Sequence, residues 1–127
     1  MKFLLMIKPD KNSEAGLPPD PKLMAAIGNL VVEMVQTGKL VDTGGITPLS
    51  RSTKLKVARG KVAVTDGPFT EARELIGGYA IVNVDSREEA LELAKRFMGL
   101  HAEILGPDYE NEAEVLRLYD MSQGTPR

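Results

Sequence analysis

Acid–base chemistry needs groups that can hold and release a proton. This chain gathers candidates in one short stretch, Thr65-Asp66-Gly67-Pro68-Phe69-Thr70-Glu71. Two carboxylates, a Gly-Pro turn pair and an aromatic ring lie within those seven residues. Asp66 is suited to capping a turn, Pro68 to setting its backbone angle, and Glu71 to sitting near the amide end of that turn. Arg73, Glu74 and the Gly77-Gly78 pair follow. A hairpin loop needs as few as two residues, so this connection carries more chemistry than turning requires. Two readings stand: a well-specified structural loop, or a ligand-binding or catalytic loop.

His101 is the only histidine and the natural partner for a carboxylate. An imidazole exchanges a proton near neutral pH, and an adjacent carboxylate orients its tautomer and steadies the cation. The expected catalytic pair is therefore Asp66 and His101, with Arg51, Arg73, Tyr79 and Glu71 as substrate-binding residues. His101 is also read as a helix-end residue that caps or meets solvent. Arg51-Ser52-Thr53 suits an anion but reads equally as a solvated segment. Arg117 alternates with apolar neighbours and faces either a cavity or a salt bridge.

Other chemistries are excluded by composition. The chain has no cysteine and one histidine, which removes disulfides and thiolates and leaves too few ligands for a typical zinc site. Nucleotide-binding and hydrolase fingerprints are absent, and no cofactor is implied. With 16 basic and 18 acidic residues, three tyrosines and no tryptophan, neither a basic patch nor a stacking platform points to nucleic acid. The apolar runs are too short to span a membrane or form a signal-peptide core. A cytoplasmic location is expected.

The elements that must position these residues are read from periodicity. At 127 residues the chain is expected to form one domain, with residues 121–127 as a frayed tail. Residues 2–8 read as a strand that is apolar at every central position. Asp20 and Pro21 open a helix to about residue 37, with Gly28 expected to permit close packing. Residues 40–43 form a short strand, with a bulge or bend at Gly44-Gly45. Alternation around Arg59-Gly60 predicts a hairpin of residues 54–59 and 61–65. Residues 76–84 are a strand. A helix capped by Asp85, with Glu88 completing a capping box, ends near Gly99. Residues 100–111 are a loop, and the last strand covers 112–120.

This order is a split β-α-β plan with an inserted hairpin. Two helices cover one sheet face. The apolar first strand, Tyr79 and Ile81 leave the other face uncovered, and a second copy packed against it solves that problem.

The segment from Asp66-Gly67-Pro68-Phe69 through Gly77-Gly78-Tyr79 resembles the signature of the DGPF branch of YCII-related proteins. Met1-Lys2-Phe3-Leu4-Leu5-Met6-Ile7, Thr37-Gly38-Lys39-Leu40, Gly44-Gly45-Ile46-Thr47-Pro48, residues 85–97, Leu100-His101 and Glu114-Val115 through Leu118-Tyr119 are similar to other parts of that family. The resemblance implies an α+β, ferredoxin-like domain that pairs into a dimeric α/β barrel, hence a homodimer with a small-molecule ligand. Distant relatives include a dehydrochlorinase acting on chlorinated hydroxyquinones, lactone isomerases and small monooxygenases. Some members are proposed to use a His–Asp pair with the histidine in the first helix. Residues 21–37 contain no histidine, which leaves Asp66 and His101 as the nearest counterparts. Leu116 stands where a subgroup has arginine, and Arg117 is one position later, on the opposite strand face. Encoding near extracytoplasmic-function sigma factors in some members implies a regulatory alternative.

Three functions follow: a cofactor-independent lyase or isomerase acting on a small organic anion or aromatic, a non-catalytic small-molecule binding or regulatory module, or a structural or partner-binding homodimer.

Overall fold

The computed structural model describes residues 1–10, 17–47, 52–66 and 76–119. Among these described residues, six strands and two helices follow one another as β1 (Lys2–Ile7), α1 (Pro21–Gln36), β2 (Leu40–Gly45), β3 (Thr53–Ala58), β4 (Lys61–Asp66), β5 (Gly78–Asn83), α2 (Arg87–Leu105) and β6 (Ala113–Arg117). Four strands form an antiparallel sheet in the order β2-β5-β1-β6, and β3-β4 form a separate two-stranded sheet.

Alternation decides which side chains meet the helices. Phe3 is paired with Val82, and Leu5 with Ala80 on one side and Val115 on the other. These residues share the helix-facing side with Leu40. Phe3, Leu30, Met34, Val82, Val84, Ala90 and Leu93 form the buried core, with Leu5, Leu40, Phe97, Leu100 and Val115 packed against it. Val82 is fully buried. Removing its side chain from water contributes roughly 1.5–3 kcal/mol.

The helix boundaries follow cap chemistry. Asp20 accepts hydrogen bonds from the backbone amides of Lys22 and Leu23 and precedes Pro21 at the first helical position. At α2 the capping pair lies one residue later than the sequence suggests. Ser86, not Asp85, is the cap and accepts from the Glu89 amide, while the Glu89 carboxylate accepts from the Asp85 amide. Glu89 also pairs with Lys39 at the entry to β2. The second helix does not stop near Gly99 but runs to Leu105, with Gly106 as its cap. Gly99 costs helix propensity, but Leu100 and His101 continue the buried stripe and override it. Gly28 faces open space, so no close packing requires it.

The expected dimeric α/β barrel is overturned. Among the described residues the four-stranded sheet is open: β2 pairs only with β5 and β6 only with β1, leaving two edges and no closure. The α+β class stands. On β1 Phe3 is buried, and Leu4, Leu5, Met6 and Ile7 are half-buried.

The hairpin turns at Arg59 and Gly60, both with positive φ. Leu55 is opposite Val64 and Val57 opposite Val62, which makes one apolar face. That face stays exposed, with Val57 at 73%.

Candidate functional site

Tyr79 is the expected site residue with the most developed surroundings. It lies on β5 opposite Gly44 of β2 and Met6 of β1, on the sheet face turned away from the helices. Its phenol donates to Asp42 Oδ2 over 3.1 Å. Asp42 Oδ1 accepts from the Thr43 amide at 2.8 Å, and the Thr43 hydroxyl donates to the Tyr79 carbonyl at 2.9 Å. Both carboxylate oxygens are thus engaged, and the two strands are joined by side chains as well as backbone.

A β-bulge creates this pair. Leu40 is opposite Val82, but Asp42 is opposite Ile81, so Val41 has no partner of its own. In a straight strand Asp42 would share the face of Leu40 and point at the helices. One extra residue sends it to the opposite face, beside Tyr79. The tyrosine ring lies over Gly44, where a β-carbon would approach its Cε1 to 3.0 Å. A side chain at 44 would crowd the ring and push it by a few tenths of an ångström.

The Asp42 hydrogen bond raises the Tyr79 pKa above its ordinary value, and the negative charge of Asp42 and partial burial act in the same direction. A phenolate beside a carboxylate is disfavoured, so Tyr79 is held as the neutral phenol, a hydrogen-bond donor beside the Asp42 carboxylate.

Asp42 was missed by sequence reasoning, which placed the bulge at Gly44-Gly45. An aspartate inside a β-branched run, followed by Thr-Gly-Gly, was the available signal.

Asp66 ends β4, where its Oδ1 accepts from the Thr53 hydroxyl at 2.8 Å and closes the open end of the hairpin. His101 lies within α2, not in a loop, and is buried at 7% exposure. Its Nδ1 is 2.9 Å from the Phe97 carbonyl, its ring meets Phe97 edge-on at 4.6 Å, and it stacks on Tyr109 at 5.7 Å. Tyr109 accepts from Asn111, which also donates to the Lys8 carbonyl. Burial raises the Tyr109 pKa, with the Asn111 bond opposing it. Asp66 and His101 share no hydrogen bond; one is exposed on the hairpin and the other packed on a helix.

Arg51, Glu71 and Arg73 lie outside the described residues. Gly77, just before β5, lies against Pro9: a β-carbon on it would stand 2.7 Å from the Pro9 nitrogen. Among the described residues, no group of three or more His, Asp or Glu is placed to hold a metal ion, and no helix is long and apolar enough to cross a membrane.

Comparison with known proteins adds three findings. A family model described as the YCII-related domain matches residues 1–98. An uncharacterized protein of Rhizobium meliloti (strain 1021) is 29% identical over 76 residues, 60% of this chain, and the match spans 61% of that relative's length. Among solved structures, the chain is similar to 5-chloro-2-hydroxyhydroquinone dehydrochlorinase from Burkholderia phenoliruptrix AC1100 in complex with 2,5-dihydroxybenzoquinone. The TM-score is 0.46, the identity 14%, and 94% of each chain is covered. The family match runs from β1 through most of α2 and ends before His101 and β6. With 98 of its 127 residues matched, the chain belongs to the YCII-related family.

Proposed function

We propose that this protein is a cofactor-independent lyase or isomerase that works on a small aromatic or organic anion by acid–base chemistry. The observation that carries this reading is the Tyr79–Asp42 hydrogen bond on the open sheet face. In the proposed reaction Asp42 takes a proton from the substrate while Tyr79 donates a hydrogen bond to the oxygen that gains charge. An isomerase returns the proton to another carbon; a lyase lets the leaving group depart with the electron pair. Arg51, Arg73 and Glu71 are proposed to bind the substrate. Asp66, at the entry to the segment that holds two of them, is proposed as a second acid–base group. The Asp66-Gly67-Pro68-Phe69 run supports a place in the DGPF branch.

The test is a turnover and solvent-deuterium exchange screen over hydroxyquinones, hydroxybenzoates and small lactones. Asp42→Asn and Tyr79→Phe are expected to lower kcat by about 10²–10⁴-fold for the accepted class. Asp66→Asn and His101→Gln are run beside them. Full activity in both Asp42→Asn and Tyr79→Phe sinks the reading, and loss confined to Asp66→Asn moves the chemistry to the base of the hairpin.

A further inference from the structure

The helix-facing side of the sheet carries a concave feature, on the opposite face from Tyr79 and Asp42. A cleft of about 300 Å³ opens where β1, β6 and the start of α2 meet. Phe3, Val115 and Met1 supply its apolar lining, and Arg87 and Arg117 its positive charge. Strand register explains the assembly. Arg117 is opposite Phe3, and Val115, two residues earlier, is on the same face.

The polar groups of this cleft differ in how far they are committed. The Ser86 hydroxyl accepts from the Glu89 amide. The Met1 ammonium donates to Asn83 Oδ1 and to the Val84 carbonyl. Neither guanidinium forms an ion pair with a carboxylate among the described residues. Glu88, which also lines the cleft, pairs with neither. Of the two outcomes open for Arg117 from sequence, salt bridge or cavity, the described residues give the cavity. Two like charges lining one cleft repel, and an anion between them relieves that repulsion. Guanidinium is also the side chain best matched to a carboxylate.

We infer that this cleft binds a small organic monocarboxylate with an apolar body. Its carboxylate is held by Arg87 and Arg117, and its body rests against Phe3, Val115 and Met1. The volume suits one ring or a short branched chain. Glu88 selects for a single negative charge, because a second anionic group in the same cleft would lie near a carboxylate. The site is independent of the proposed chemistry at Asp42.

Benzoate is the probe, followed by NMR of the full-length protein, with benzamide as the neutral isostere and phthalate and inorganic phosphate as dianionic comparators. Benzoate is expected to give saturable shifts centred on Phe3, Ser86 and Val115, with benzamide giving none. Arg117→Gln and Arg87→Gln should each weaken benzoate about tenfold or more, and Asp42→Asn should leave its affinity unchanged. The benzamide control uses the wild-type protein, so the proposal is tested even if a variant folds poorly. Absent or non-saturable shifts, equal binding of benzamide, or affinity retained in both arginine variants overturns the site. Phthalate or phosphate binding as tightly as benzoate overturns the monocarboxylate class.

Discussion

The Tyr79 hydroxyl stands 3.1 Å from Asp42 Oδ2 across the β2–β5 pair, on the sheet face turned away from the helices. The two residues are 37 positions apart in the chain. They meet because Val41 is bulged out and Gly44 leaves room for the ring.

The pair should be visible in a titration. Ionising Tyr79 next to Asp42 is costly, so its pKa lies above the ordinary value of 10.0. Asp42→Asn removes the charge and should lower the Tyr79 midpoint, read from the ring resonances against pH. The proton is held more tightly in the folded protein than in the unfolded chain. The pair's stabilisation is therefore complete below pH 10.0 and is lost as pH rises through the folded value. An unchanged midpoint in Asp42→Asn would show that the two groups are not coupled.

Val41 is the unpaired residue of the bulge. Deleting it should straighten β2 while keeping Leu40 opposite Val82 and Asp42 opposite Ile81. The Tyr79 midpoint should stay raised, and amide exchange along β2 should slow as the ladder becomes regular. A midpoint that falls to the ordinary tyrosine value would show that the bulge's local twist, rather than the register, aims the carboxylate.

His101 should carry a proton on Nδ1, because the Phe97 carbonyl 2.9 Å from it can only accept. Nitrogen-15 chemical shifts of the ring report this directly, and an unprotonated Nδ1 would contradict the geometry. His101→Ala removes a buried ring that touches Phe97 and Tyr109. Its cost should be roughly 2–3 kcal/mol by denaturant unfolding. A cost near zero would mean that the cluster does not hold the end of α2.

The start of α2 should respond to acid. The Lys39 hydrogen bond, with help from the Asp85 amide, holds the Glu89 pKa below its ordinary 4.5. The carboxylate binds its proton less tightly in the folded state. Its stabilisation is therefore present above pH 4.5 and is lost as pH falls through the depressed folded value. Glu89→Gln should flatten the acid limb of Tm against pH. Ser86→Ala, which removes the cap itself, should cost about 1 kcal/mol at every pH. Equal acid limbs in wild type and Glu89→Gln would remove Glu89 from the account.

Local chemistry made much of the fold legible in the sequence. Asp20-Pro21 announces the start of α1 because cap and first-turn preferences act within a few residues. The alternation of Leu55, Val57, Val62 and Val64 announces the hairpin because a strand's period is two. What the tertiary structure alone decided depends on partners distant in the chain. The second helix continues past Gly99 because Leu100 packs against the core and His101 is buried, and such packing outweighs one unfavourable propensity. Asp42 joins Tyr79 because pairing with β5 displaces Val41, and no local pattern reports the register of a strand found 37 residues later. The apolar first strand signals burial without naming its cover. The sheet stayed open because closure depends on strand number and shear, which belong to the assembled sheet and not to any single strand.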